Sequence, residues 1–539
     1  MSNLVVLGDE AVALGAVHAG LTAAYAYPGT PSTEILEYLR THAARHGAPQ
    51  AVWTANEKTA YEAALGVSLA GKRALVAMKH VGLNVAADPF VNSALVSIHG
   101  GLVVAVADDP GMHSSQNEQD SRYLADFARV ICLEPASAQE AYEMTREAFD
   151  LSERFDIPVM VRLVTRLAHS RGVIHVAPPR DENRLSKTPG PASWILLPAN
   201  ARRQWRALLD RQPDLRAYAA DSRHNVLSLD NHDLGVITTG LARNYYLENL
   251  DDLGFVPSHL HIGAYPAPID AIRMLLGHVT RVLVLEEGYP FVERLIRGVV
   301  PPASEIRGKE SGHVPPDGEL TPDLVRVALG LEVRAGVELP DLTLPSRPPQ
   351  LCAGCPHGDM FHALQRALAG YETSLVTSDI GCYTLGALPP YNAVESCVCM
   401  GASIGMAKGA ADAGLHPVVA MIGDSTFLHS GITPLLDAVA ANTDMTLVIL
   451  DNEVVAMTGG QPSLVPSPRI EPLLRGLGVD PEHLHVLAAH PRQVDHNAEI
   501  IRKELAHHGL SVVVGVRECL ETARAKKQKT PELAVTGSS

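Results

Sequence analysis

Cysteine is scarce in this chain, 7 of 539 residues. So sparse a set, in a long chain whose start (MSNLVVLGDE) reads as strand and turn and not as a secretory leader, argues against a disulfide framework. It predicts reduced thiols and a cytoplasmic location. Positive charge is also short: 44 Lys and Arg stand against 60 Asp and Glu, a formal net charge of −16. That balance argues against nucleic-acid binding and against a polybasic membrane anchor. No window of about 18 consecutive apolar residues occurs, so no membrane-spanning helix is expected. What is present is an ordinary globular composition, 46% apolar and 19% charged, with ample material for buried sheets. The length exceeds a single core and predicts about three domains.

The apolar runs are short and alternate with helical stretches. NLVVLG, TAAYAYPGTP, KRALVAMKH, GLVVAVADDP and IPVMVRLV each read as a strand followed by a turn. Such alternation predicts an α/β fold, a mostly parallel sheet flanked by helices, over residues 1–180. Residues 175–193, polar and Pro-rich, read as a linker. A second α/β block over 194–335 has strand candidates GVITTG (235–240), HLHIG (259–263) and RVLVLEEG (281–288). Residues 337–350 read as a second linker. A third block, 351–522, carries PVVAMIGD, MTLVILDN and SVVVGVRE, and residues 523–539 read as a disordered tail.

The third block concentrates the chemistry. One strand candidate ends in Gly423-Asp424-Ser425 and the next in Asp451-Asn452. Ligands of open parallel sheets sit at the carboxyl ends of strands, so both polar ends are expected at one crevice. Asp424 and Asn452 are hard oxygen ligands suited to magnesium, which also holds phosphate oxygens. Gly423 and Gly459 would permit close backbone approach, and CMGASIGMAKGAADAG opens a helix whose N-terminus attracts an anion. The plainer reading is two ordinary turns. Upstream, LCAGCPHGDM (351–360) pairs Cys352 with Cys355. That spacing serves zinc, iron–sulfur clusters and redox dithiols alike.

GDS followed by DN and MTGGQP resembles the diphosphate-binding motif of thiamine diphosphate enzymes. YPGTPSTEIL, NEKTAYEAALGVSLAGKRALVAMKHVGLNVAADP, CAGCPH and AMTGGQP together resemble the indolepyruvate ferredoxin oxidoreductase alpha-subunit family. That family lies within the 2-oxoacid:ferredoxin oxidoreductases, and the resemblance spans residues 1 to about 522. It implies a pyrimidine-binding domain, a transketolase-C-like domain and a diphosphate-binding domain, in that order. It also implies thiamine diphosphate held through Mg2+ by Asp424, Asn452 and the carbonyl of Val454, with Gly401, Gly423, Ser425, Met457 and Thr458 beside the cofactor. Glu57 matches the carboxylate that bonds the aminopyrimidine; read without the resemblance, it is a solvated helix residue. Thr30 matches a 2-oxoacid contact, although Pro-Gly-Thr-Pro is also good turn chemistry. Lys79, His80 and Asn84 are candidates for holding a substrate carboxylate or donating to developing charge, with surface positions at a strand end as the alternative. His113 and Gln116 are candidates for lining the same mouth. His429 is a candidate at the diphosphate strand end or a surface residue.

In the wider superfamily a CxxC, a third cysteine after a strand and a distant fourth hold an iron–sulfur cluster. Cys352, Cys355, Cys382 and Cys519 match those places and are expected to hold one [4Fe–4S] cluster; structural zinc uses the same ligands. Cys132, Cys397 and Cys399 fit no ligand position and are expected to be packing residues. The family's alpha subunit usually ends in two CxxCxxCxxxCP repeats, and neither occurs in these residues; the electron acceptor is thus left open. The resemblance implies oxidative decarboxylation of an arylpyruvate such as indolepyruvate, coenzyme A as acyl acceptor, a smaller beta subunit and an oligomer. A non-oxidative decarboxylase or carboligase, and a non-catalytic partner-binding subunit, are the competing readings.

Overall fold

The computed structural model describes residues 3–186, 191–297, 305–334, 336 and 350–529. The chain divides into two compact units, residues 1–339 and 340–539.

The first unit holds two principal sheets. The larger has seven strands in the spatial order 264–265, 132–133, 159–164, 102–108, 74–79, 23–26 and 50–53. All neighbours are parallel except the edge pair 264–265 with 132–133. Strands Ala74–Lys79, Leu102–Asp108 and Val159–Val164 are buried at every residue, as expected of central parallel strands covered on both faces. The second sheet has five strands in the order 305–307, 281–285, 231–239, 257–262 and 225–228. One hydrophobic core, running from Val76 and Val104 through Leu133 and Tyr265 to Val236 and Leu283, joins the two sheets. Where three domains are expected from the sequence, the first two blocks therefore pack as one compact unit.

Three sequence expectations are corrected here. NLVVLG does form a strand, Asn3–Leu7, but outside the parallel sheet: it pairs antiparallel with Arg171–His175. Within it only Val6 is buried, too little apolar contact for a central strand. Residues 177–186 of the supposed linker lie against the first unit. Glu182 accepts from Thr22 Oγ1 (2.8 Å) and Lys72 Nζ (2.9 Å), and Asn183 donates to Glu153 Oε1 (2.7 Å). The tail expected from 523 is helical over Leu520–Lys529; residues 530–539, like the linker residues 187–190 and 337–349, lie outside the described residues.

The second unit is built on a fully parallel five-stranded sheet, in the order 375–377, 418–423, 445–451, 510–516 and 484–488. Its central strands Val418–Gly423 and Met445–Asp451 are buried throughout, and hydrophobic clusters cover both faces. No helix among the described residues is long and apolar enough to cross a membrane.

Candidate active site

In the first unit the candidate residues gather beyond the carboxyl ends of parallel strands. Asn56 caps the helix Glu57–Leu69, its Oδ1 accepting from Thr59 N at 2.8 Å. The cap fixes Glu57 as the first helical residue, and Glu57 is buried, not solvated. A Cβ on Gly82 would lie 2.5 Å from Glu57 Oε1 and 2.8 Å from Cδ. The carboxylate therefore rests on the bare backbone of the KHVGLN segment, a cradle that any side chain at 82 would fill.

Lys79 ends its strand and is buried. Its Nζ donates to Ser114 O at 2.8 Å and lies 3.2 Å from Ser114 Oγ. Burial pushes its ammonium down to about 8, with the Asp109 carboxylate acting in the opposite direction. Ser114 Oγ in turn donates to Thr30 O at 3.1 Å, so the Thr30 loop, Lys79 and the Ser114 loop form one wall. Asp109 ties that wall down: its Oδ2 accepts from Ser114 N (2.9 Å) and Ser115 Oγ (2.5 Å), and its Oδ1 from Thr165 Oγ1 (2.6 Å). His80 is buried, and burial lowers its ring below the ordinary histidine range. Its Nε2 donates to the carbonyl of Asn117 at 3.2 Å, which leaves Nδ1, buried and without a hydrogen-bond partner, as a bare acceptor. Asn84 and Gln116 are exposed. His113 faces Glu319, Nε2 to Oε2 3.3 Å, and does not join this wall. Ser114, Asp109 and Gly82 were not singled out from the sequence; the paired aspartates of VADDP and the glycine of KHVGLN were the available signals.

In the second unit, Gly423 pairs with Leu450 across the parallel strands, so Asp424 and Asp451 stand level at the sheet's end. Asp424 is buried and its Oδ2 has no hydrogen-bond partner. Burial, reinforced by the charge of Asp451, pushes its carboxyl up to about 7. Ser425 Oγ and Asp451 Oδ2 are likewise buried without hydrogen-bond partners. These buried oxygens, at the ends of two neighbouring parallel strands, are of the hard type a divalent cation takes. Asn452 Oδ1 accepts from Val454 N at 3.1 Å, and Val454 pairs with Pro462 in a short ribbon. Gly459 and Gly460 both have positive φ, 120° and 81°, backbone that glycine adopts without strain. Thr458 and Gln461 bond reciprocally at 2.7 Å, whereas Met457 is exposed.

Gly401 has φ +84° and begins the helix Ala402–Asp412; a Cβ there would meet Ser430 Cβ at 2.6 Å. At Gly423 the missing Cβ makes room for the Tyr383 ring, 2.7 Å away, a packing reason beside the phosphate one expected. His429 is buried within the turn Phe427–Gly431, which corrects the surface alternative.

Cys352, Cys355, Cys382 and Cys519 line one cavity of about 580 Å³, together with His357, Asn452, Gly459 and Gly460. Cys355 caps the helix Pro356–Leu368, and its N–H donates to Cys352 O at 2.9 Å. Cys382 opens the turn Cys382–Ala387, and Cys519 N donates to Asn452 O at 3.2 Å. Burial raises Cys355, and raises Cys382 to about 12; neighbouring cysteines of the same set add to both shifts. None of the four is in a disulfide. His357, the histidine beside the cysteine pair in CAGCPH, is buried with Nε2 3.5 Å from Asn452 Nδ2, and burial lowers its ring to about 4. Cys132 is buried as expected of a packing residue, but Cys397 and Cys399 are exposed, which corrects that expectation for both. They lie in a stretch, residues 388–400, with few buried residues and no regular element to bury them.

Two family models match the chain: "Pyruvate flavodoxin/ferredoxin oxidoreductase, thiamine diP-bdg" over residues 14–204, and "Thiamine pyrophosphate enzyme, C-terminal TPP binding domain" over residues 379–514. Indolepyruvate oxidoreductase subunit IorA of Archaeoglobus fulgidus is 38% identical over 97% of this chain and 88% of its own length. The subunit of the same name from Methanothermobacter thermautotrophicus is 38% identical over 99% and 89%. That of Pyrococcus abyssi is 36% identical over 96% and 86%. These matches extend over nearly the whole chain. The chain therefore belongs to the IorA family of thiamine diphosphate-dependent 2-oxoacid oxidoreductase subunits.

Proposed function

We propose that this chain is the thiamine-bearing subunit of a cytoplasmic enzyme that oxidatively decarboxylates an aryl 2-oxoacid of the indolepyruvate kind. Coenzyme A takes the acyl group, and a smaller subunit completes the oligomeric enzyme. The observation that carries the reading is the coincidence, in the second unit, of unanswered oxygens on Asp424, Ser425 and Asp451 with a four-thiol cavity lined by Asn452. Bound thiamine diphosphate supplies the carbanion chemistry by which a 2-oxoacid loses carbon dioxide.

The roles of the chain's own residues follow from their surroundings. Asp424, Asn452 and the Val454 carbonyl would hold Mg2+, and the glycines at 459 and 460 would let the backbone approach the diphosphate. Glu57, anchored on Gly82, would hold the proton shared with the aminopyrimidine. Lys79, charged below about pH 8, would pair with the substrate carboxylate beside Thr30. His80, neutral with a bare Nδ1, would accept a hydrogen bond from substrate or from water.

Four thiols on one cavity are the usual holders of a [4Fe–4S] cluster, and an oxidative enzyme needs a path for electrons that a closed zinc site does not supply; the cluster therefore goes with the oxidative reading over a non-oxidative decarboxylase. Iron and sulfide assay after anaerobic purification is the test. About four irons per chain, falling in Cys382→Ser and Cys519→Ser, are expected. Iron-free protein that still decarboxylates 2-oxoacids would overturn the reading.

A further inference from the structure

The first unit holds another cluster of ionisable groups that the thiamine chemistry does not use. Asp9 lies in the first turn of the helix Gly8–His18, Glu34 in the first turn of Thr33–His46, and His169 ends the helix Thr165–His169. Each offers one ligand atom, and these atoms all lie within 4.8 Å of one another. His169 Nε2 is 3.5 Å from Glu34 Oε2. Asp9 is completely buried, and neither of its carboxylate oxygens has a hydrogen-bond partner. A buried carboxylate so placed needs either a proton or a cation. Burial, with the charges of Glu34 and Glu10 added, holds the Asp9 carboxyl well above the usual range. The side chains of Glu34 and His169 keep 34% and 36% exposure, which gives an ion an entrance and leaves positions for water.

We propose that Asp9, Glu34 and His169 form a binding site for a divalent transition-metal ion of the zinc–manganese class. Two carboxylates and an imidazole, with no thiol, suit that class; magnesium and calcium favour oxygen alone. The 3.5 Å nitrogen–oxygen separation is close to the edge of about 3.3 Å expected for ligands about 2.0–2.1 Å from one ion. The ion would clamp three helix ends from distant parts of the chain. Glu34 stands two residues after the YPGTPS loop, where Gly29 N donates to Thr33 Oγ1 at 3.0 Å and Ser32 Oγ to Gly29 O at 2.8 Å. The helix bearing His169 begins at Thr165, which holds Asp109. The site is thus linked, through the helices of Glu34 and His169, to the Thr30 loop and to the Asp109 that holds Ser114. Only the catalytic consequence of that link rests on the function proposed above; the binding of metal does not.

The test is Mn2+ added to the metal-stripped full chain, read by pulsed EPR for coupling to a ligand nitrogen. Manganese avoids capture by the cysteine thiols, and the Asp424–Asn452 site offers oxygen ligands. About one nitrogen-coupled Mn2+ per chain is expected. Its affinity should fall at least tenfold in His169→Gln and in Glu34→Gln, both half-exposed positions that leave the core intact, and should be unchanged in Asp424→Ala. Nitrogen coupling that survives His169→Gln would place the ion elsewhere, as at the surface group His416–Asp444–His508, and overturn the assignment. So would the absence of any nitrogen-coupled Mn2+, with Asp9 and Glu34 then sharing a proton.

Discussion

At the scale of single residues, burial sets the protonation states on which the proposed chemistry depends. Lys79 is charged below about pH 8 and neutral above it, while a 2-oxoacid stays anionic throughout. If the ammonium pairs with the substrate carboxylate, kcat/KM should fall about tenfold per pH unit above pH 8. A profile measured to pH 9.5 checks this, and Lys79→Met should abolish that limb; a flat wild-type profile would remove Lys79 from substrate binding. Gly82 provides a companion test, because any Cβ there meets the Glu57 carboxylate at 2.5 Å. Gly82→Ala should leave the fold and diphosphate affinity near wild type while slowing hydrogen exchange at the thiazolium carbon by ten- to a hundredfold, as Glu57→Gln should. Equal exchange rates in wild type and Gly82→Ala would show that the cradle does not position Glu57. Neither burial nor cradle was legible in the residues: a glutamate in ANEKTA reads as solvated, and only the family resemblance pointed to it.

At the scale of elements, the helix Glu57–Leu69 shows how local signals aim a functional group. Its start is set by Asn56, whose side chain satisfies Thr59 N, and loss of such a cap costs about 1 kcal/mol. Asn56→Ala should therefore lower stability by about that amount in chemical denaturation and raise the cofactor's dissociation constant. A change in stability with no change in cofactor binding would mean the cap does not orient Glu57. Elsewhere the strands of both units were legible wherever apolar runs are buried on both faces, as at 102–108 and 445–451. Periodicity misled at the ends: Asn3–Leu7 is an exposed antiparallel strand, and 523–529 is helical. For Cys397 and Cys399 there was no pattern to use, because an irregular loop has no face.

At the scale of the whole molecule, a buried ion network binds the two sheets of the first unit. Arg162 Nε is 2.6 Å from Asp108 Oδ2, and its Nη2 donates to Glu287 O at 3.1 Å. Arg122 Nη1 lies 3.1 Å from Glu286 Oε2, and its Nε donates to Asp120 Oδ1 at 3.0 Å. Asp108 ends a strand of the first sheet, and Glu286 and Glu287 follow a strand of the second. Removing one partner from such a network strands a buried charge, at a cost of about 3–5 kcal/mol. Arg162→Ala should lower the unfolding transition of the first unit in calorimetry of the apo chain and leave that of the second in place. A mutant transition within 1 °C of wild type would show the network to be energetically neutral.

The sequence by itself determined the strands, the Gly-Asp-Ser and Asp-Asn ends and the cysteine spacing, because each is a local pattern of apolar runs, turns and residue types. Tertiary structure alone decided which residues lose water and what they then face. It turned Glu57 inward onto Gly82, left Asp424 Oδ2 without a partner, and set four cysteines from three segments around one cavity. It also brought Asp9, Glu34 and His169 together. Burial and proximity between residues on different elements, from tens to more than a hundred positions apart, depend on how the elements pack, and no local pattern encodes them.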